Sequence, residues 1–395
     1  MKAAERLIHI KEYYFSRKLK EVRALALQGK PIINMGIGSP DLRPPQSVVR
    51  AIQESVMDEG AHKYQSYQGL PEFRNAVSDF YKTHYQVDID PNSEVLPLMG
   101  SKEGILHISM AFLNKGDEVL IPNPGYPTYT SVTNLVEAIP EYYNLSEENH
   151  WEPDFEALEQ KDLSKVKIMW VNYPHMPTGA KGSKELFEKL IAFGKKYRIL
   201  IVNDNPYSFV LNEEPTSLLS IDGALDIAIE LNSLSKSFNM AGWRVGMMLG
   251  SQRFLQDVLR VKTQMDSGMF YGIQKGAIAA LQIGLDLRGV EGNWFEEMNT
   301  IYAKRQKLIW KIADKLNCTY DKDVAGMFVW AKLPEGKHAE TVVDELLYEK
   351  NVFIAPGSIF GSKGDGYIRF SLCVSEEKIE EALSRFEESV VTVEE

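Results

Sequence analysis

Seven short apolar runs recur through the middle of the chain, near residues 95–99, 118–122, 138–143, 167–173, 198–204, 228–232 and 245–249. Helix-like stretches separate most of them. The runs are too short for buried helices and too uniformly apolar for strands with one wet face. A strand that is apolar along its whole length is covered on both sides. The pattern therefore predicts an α/β fold, with a mainly parallel seven-stranded sheet covered by helices. Open sheets of this kind hold their ligands at the carboxyl ends of the strands. Ser101, Tyr126, Met176, Asp204 and Ser233 all end or follow such a run. They are the first candidates for a site.

The pattern changes toward both ends. Residues 1 to about 30 carry Leu7, Ile8, Tyr13, Phe15, Leu19, Val22 and Leu25 at near-helical spacing, closed by Gly29, and read as a helix. Residues 45–59 read as another. From about 290 a long charged helix runs to about Leu316. Strands then follow around M-F-V-W-A-K-L and Y-I-R-F-S-L, with helices at 338–349 and 375–390. This is an α+β unit rather than more of the central sheet. Three segments are expected: an arm that joins a smaller domain over 1–45, a large domain over 46–290, and the rest of the small domain over 291–395.

Charge and cysteine content exclude several functions. The 395 residues carry a formal net charge of -11 with no basic run, so neither nucleic acid nor an anionic membrane is an expected partner. No stretch is apolar for the length of a bilayer crossing, and the first residues mix charges without an apolar core, which points to the cytoplasm. The two cysteines, Cys318 and Cys373, belong to no CxxC or Cys/His cluster, and no metal site is expected.

Chemistry concentrates between residues 233 and 246, S-L-S-K-S-F-N-M-A-G-W-R-V-G. Lys236 stands among hydroxyl residues, and Arg244 follows eight positions later between Gly242 and Gly246. A lysine amine condenses with carbonyls to form a Schiff base, and its pKa falls readily when it is desolvated. A guanidinium fork suits a phosphate, and the Ser233 and Ser235 hydroxyls add donors. A second candidate anion site is Gly100-Ser101-Lys102, where a helix begins after a strand and leaves backbone N–H groups unpaired.

The stretch around Lys236 resembles the lysine signature of the class I/II aminotransferases, fold type I enzymes that use pyridoxal phosphate, and meets each fixed position of it. Other segments are similar to that family in order and spacing over nearly the whole chain, most of all to its aspartate and LL-diaminopimelate group. The resemblance implies that Lys236 holds the cofactor as a Schiff base and moves the α-proton. It implies that Asp204 sits at the pyridine nitrogen, that Tyr207 reaches the ring oxygen, and that Tyr126 lies on the ring. Ser101, Lys102, Ser233, Ser235 and Arg244 would hold the phosphate. Gly38 would lie beside the substrate, and Arg369, in Y-I-R-F-S, would hold its carboxylate. Tyr64, five residues before Gly69, would reach the neighbouring site of a homodimer.

One position departs from the family pattern. Relatives usually read N-P-T-G, and the asparagine bonds both the cofactor's phenolic oxygen and the substrate carboxylate. Here the segment reads H-M-P-T-G, with Met176 at that place. A thioether accepts weakly and donates nothing; Asn172 and His175 are the nearby candidates to substitute. The arginine that clamps a side-chain carboxylate in some aspartate aminotransferases has no counterpart near 261–281, where Lys262 is the nearest cation. The implied activity is amino transfer from an L-amino acid to a 2-oxo acid. The same scaffold also carries β-lyases acting on carbon–sulfur bonds, and a cofactor-binding protein with little turnover is a further alternative.

Overall fold

The computed structural model describes residues 1–8, 10, 14–285 and 293–387. Thirteen strands run in chain order: β1 Ile33–Asn34, β2 Val95–Leu98, β3 Glu118–Asn123, β4 Ile139–Asn144, β5 Val166–Val171, β6 Leu200–Asp204, β7 Ala228–Ser233, β8 Gly246–Gly250, β9 Thr319–Tyr320, β10 Phe328–Lys332, β11 Val352–Phe353, β12 Ala355–Pro356 and β13 Tyr367–Ser371. The seven from β2 to β8 form one sheet in the order β2-β8-β7-β6-β5-β3-β4. All pairs are parallel except those of β8, which runs antiparallel to both β2 and β7.

Alternation along each strand feeds a core on either face. Leu200 and Val202 of β6 pack with Ile168 and Trp170 of β5 on one side, while Ile201, Met169 and Val171 pack on the other. Helices on both sides close these cores, as a βα alternation requires. The expected strands match in number and place. Only β4, at the sheet edge, is largely exposed, its apolar run facing water along one side.

Two buried polar residues, Glu230 and Asn232, stand on one face of β7. Glu230 is fully buried, and burial raises its carboxyl pKa. Four donors satisfy it: Ser217 Oγ at 2.8 Å, Leu218 N at 2.9 Å, Tyr81 Oη at 2.9 Å and Asn203 Nδ2 at 3.1 Å.

The second unit is a four-stranded sheet in the order β12-β13-β10-β9. β13 lies inside it, between β10 and β12, and not at an edge. The chain's beginning joins this unit: β1 pairs in parallel with β11, Ile33 against Val352. Arg305, on the helix Trp294–Lys315, donates Nη1 and Nη2 to the two oxygens of Asp41 at 2.7 and 2.9 Å, and Nη1 also to Leu372 O. The chain's beginning is thereby fastened to the carboxyl-terminal segment.

The amino-terminal region differs from expectation. Its α-helix, α1, spans Tyr14–Leu27, and a 3-10 turn spans Glu5–Leu7. Amphipathic spacing extends past the residues that a helix recruits, since only its middle packs: Val22 is buried, with Phe15, Leu19 and Leu25 partly so. The second expected helix is shorter than read, Gln46–Ser55. Tyr13, the boundary at 290–291 and the helix end at 388–390 lie outside the described residues. Among the described residues no helix is long and apolar enough to cross a membrane.

Candidate active site

A cavity of about 560 Å³ opens between the carboxyl ends of the central strands and the small sheet. It gathers residues from positions 15 to 369. Gly38, Ser101, Lys102, Tyr126, Met176, Asp204, Tyr207, Ser233, Ser235, Lys236, Arg244 and Arg369 all line it. Tyr64 does not. Its side chain stands 91% exposed on the same chain's surface.

Strand ends place the floor. Asp204 is the last residue of β6 and is buried. Its Oδ2 accepts from Tyr129 Oη at 3.1 Å, and its Oδ1 has no hydrogen-bond partner. Asn172 Nδ2 donates to its backbone oxygen. Burial raises the Asp204 carboxyl to a pKa of about 6, against the opposing pull of the Tyr129 and Ser101 hydroxyls. Tyr129 is stacked on Trp170 at 5.0 Å and is met edge-on by Tyr126 at 5.5 Å.

Lys236 lies in a four-residue helix, Leu234–Ser237, begun by Ser233 at the end of β7. Ser233 Oγ accepts from Ser235 N at 3.2 Å and donates to Ser235 Oγ at 2.8 Å. The Lys236 ammonium donates to Gly38 O across the cavity. Burial lowers its pKa, and the positive charges of Arg369 and Arg244 lower it further.

Beside it is an anion cradle. α4, Ser101–Phe112, starts at the cavity with its first N–H groups toward it. Arg244 sits in left-handed conformation, φ 57°, and its Nη2 donates to Met99 O at 3.3 Å. Gly100, φ +88°, is where the guanidinium passes: a Cβ there would fall 2.2 Å from Arg244 Nη2.

Arg369, on β13, is buried without a counter-charge. Nη2 donates to Gly36 O at 2.7 Å, Nη1 to Met176 Sδ at 3.4 Å, and Nε has no partner. Among the described residues no carboxylate pairs with it. Burial lowers its pKa to about 10. Three rings surround the guanidinium, Phe328 at 3.9 Å, Phe360 at 4.6 Å and Phe15 at 5.6 Å from its carbon.

Of the two candidate substitutes for the missing asparagine, Asn172 is engaged and His175, its Nε2 unpartnered, does not line the cavity. Asn172 spends its amide on Asp204 O and accepts from Met176 N at 2.8 Å. His175 is buried away from the cavity, its Nδ1 2.8 Å from Thr178 Oγ1, and burial drops its pKa to about 3. Lys262 is also absent from the site. It is fully buried and ion-paired with Asp266 at 2.6 Å.

These residues fit pyridoxal phosphate. The orphaned Asp204 oxygen matches a cationic ring nitrogen, the cradle around Gly100 and Arg244 matches a phosphate, and a desolvated amine stands between them. Sequence reasoning had not assigned Tyr129, Phe15, Phe328 or Phe360 to the site. All four are aromatic residues that read as ordinary core in the sequence.

The sequence profile described as "Aminotransferase class I and II" matches residues 30–386. Two LL-diaminopimelate aminotransferases are similar over nearly full length. That of Oleidesulfovibrio alaskensis is 38% identical over 385 residues, 97% of either chain. That of Aquifex aeolicus is 37% identical over 384 residues, again 97% of either. The apo structure of BacF from Bacillus subtilis superposes with a TM-score of 0.92 at 33% identity, covering 98% of both chains. The chain belongs to the class I and II aminotransferases, and it is a pyridoxal-phosphate-dependent enzyme that moves an amino group from an amino acid to a 2-oxo acid.

Proposed function

We propose that the cavity around Lys236 is the transamination site and that its residues divide the work as follows. When bound, pyridoxal phosphate supplies an aldehyde that condenses with amines and a ring that accepts the electron pair left by the departing α-proton. Ser101, Lys102, Ser233, Ser235 and Arg244 hold its phosphate, and Tyr126 packs on its ring. Asp204 pairs with the ring nitrogen through Oδ1 and keeps it protonated. Tyr207 donates to the ring oxygen.

Arg369 docks the carboxylate of the L-amino acid, beside the backbone at Gly38. The charge of the carboxylate answers a buried guanidinium that has no carboxylate partner among the described residues. Lys236 Nζ is then the base. Burial disfavours its charged form, so it would take the α-proton as base and later give a proton back as acid. The Phe15, Phe328 and Phe360 rings exclude water meanwhile.

The observation that carries this assignment is the convergence on one cavity of an orphaned carboxylate oxygen, a desolvated amine and a buried guanidinium with no carboxylate partner among the described residues. The test adds an L-amino acid to the cofactor-loaded enzyme without an oxo acid. One equivalent of 2-oxo acid per site, with bleaching of the visible band, is expected. Continuing release of pyruvate and ammonia would instead identify a β-lyase. The names of the relatives make LL-diaminopimelate the first donor to try.

We also propose a homodimer in which Tyr64 enters the partner's site. Tyr64, Tyr67, Met57, Met99, Met265 and Phe270 are exposed. Contacts bring these segments together: Tyr271 Oη lies 3.0 Å from Asp58 Oδ2, and Gly268 packs on the Gln65 backbone. An apolar surface of this kind beside a site marks an interface. The division at 45 and 290 into a large cofactor-binding domain and a small domain, and a cytoplasmic location, complete the proposal. Two buried free thiols, Cys318 and Cys373, suit a reducing compartment.

A further inference from the structure

We infer that the amino donor of this enzyme has an apolar or aromatic side chain, of the leucine, methionine or phenylalanine kind. A side chain ending in a carboxylate or in a second amino-acid group does not suit the site. The inference rests on the transamination reading above and names the substrate class.

Once the carboxylate is on Arg369, the donor's side chain meets the walls next to that arginine. Phe15 and Leu19 come from α1, one helical turn apart and so on one face. Ile37, Met176, Phe328 and Phe360 complete the wall. The three phenylalanine rings are within 6 Å of the Arg369 guanidinium, so whatever extends from the docked carboxylate passes between rings. Met176 adds a flexible thioether, which packs well against aromatic and aliphatic groups.

Of the charged lining residues, Arg369 and Lys236 serve the carboxylate and the α-proton in the reading above, and the others lie at the floor and the cradle. Asp204 is the one carboxylate among the described residues of the lining, and it sits on the floor with Tyr129. A distal ammonium, such as that of LL-diaminopimelate, finds no other counter-charge among the described residues of this chain's lining. Lys102 and Arg244 belong to the cradle at the start of α4. Lys262, the other cation considered from the sequence, is locked onto Asp266. A distal carboxylate would therefore enter an aromatic wall without a partner, and burying an unpaired charge is strongly unfavourable. An apolar side chain gains from the same wall.

The test measures single-turnover bleaching of the cofactor-loaded enzyme with L-phenylalanine, L-methionine, L-leucine, L-aspartate, L-glutamate and LL-diaminopimelate separately. The best apolar donor is expected to exceed LL-diaminopimelate and L-aspartate in rate over half-saturating concentration by roughly 100-fold or more. Faster bleaching by LL-diaminopimelate or aspartate overturns the inference and leaves transamination standing. No bleaching by any amino acid overturns both. A second readout needs no turnover: 3-phenylpropanoate should perturb the visible band at lower concentration than succinate, and the reverse order counts against the apolar wall. The Phe15→Arg variant should raise the aspartate-to-phenylalanine rate ratio at least roughly tenfold. An unchanged ratio in a folded, cofactor-loaded variant removes Phe15 from the side-chain site.

Discussion

Nη1 of Arg369 lies 3.4 Å from Sδ of Met176, so the buried cation of the site rests one donor on a thioether. The family pattern places an asparagine amide at that position, which both donates and accepts. Met176 accepts weakly and donates nothing. Its neighbours do not replace the lost donor, because Asn172 is bonded to Asp204 O and Met176 N, and His175 does not line the cavity. Met176→Asn should therefore give the ring oxygen of the cofactor a new donor. The pH at which the visible band of the loaded enzyme titrates should fall by about one unit, the size of a hydrogen bond to a charged group. A spectrophotometric titration of both proteins reads this directly. Identical titrations would show that position 176 does not face the ring oxygen.

Asp204 couples the site to stability. Its folded pKa of about 6 lies above the ordinary value of 3.8, because burial disfavours its charged form. Without cofactor, the folded protein thus binds more protons than the unfolded chain between those values. Stability from this group is full below about pH 4 and is lost as pH rises through about 6, amounting to about 3 kcal/mol. Asp204→Asn should flatten that part of the curve. Denaturant unfolding of both cofactor-free proteins from pH 4 to 7 measures it. The cofactor should reverse the effect in the wild type, since a cationic ring nitrogen stabilises the ionised carboxylate. A wild-type curve that rises over this range without cofactor would contradict the pKa direction.

Much of this was legible in the sequence, for reasons that explain the rest. β6 and β7 were readable because doubly buried strands are continuous apolar runs, and their ends carried Asp204 and Ser233. Arg369 was readable from the motif around it. The cage about Arg369 was not, because Phe15, Phe328 and Phe360 come from three distant segments whose aromatic residues look like ordinary core. Tyr129 reads in the sequence as one more core aromatic, and only the fold shows its hydroxyl on Asp204. β9, β11 and β12 are two residues each, too short for any periodicity to register. Glu230 left no signal, since one carboxylate in an apolar strand reads as a face to solvent until its four donors are seen.

Lys236 is the desolvated amine of the cavity, and it donates to the Gly38 carbonyl. Lys236→Ala removes the proton carrier while leaving the cradle of Ser101, Ser233, Ser235 and Arg244 intact. The variant should retain pyridoxal phosphate, measured as cofactor per chain after gel filtration. Its transamination rate should drop by roughly 1000-fold or more. Near-normal turnover would overturn the role given to this lysine. Loss of cofactor together with activity would instead show that the covalent link supplies most of the binding.

Tyr64 is exposed at 91% on its own chain, while the other twelve residues expected at the site line the cavity. If it serves the partner's phosphate, defects in Tyr64 and Lys236 should complement each other across the dimer. Consider a hybrid of one Tyr64→Ala chain and one Lys236→Ala chain. One of its sites holds Lys236 from the first chain and Tyr64 from the second, and is intact. The other holds both substitutions. At limiting cofactor the hybrid should recover about half the wild-type activity, above either parent homodimer. That figure follows from one working site in two and presumes a dimer, which sedimentation of the wild type checks. Were Tyr64 to act within its own chain, neither site would be whole. Mixing would then leave activity at the average of the two parents.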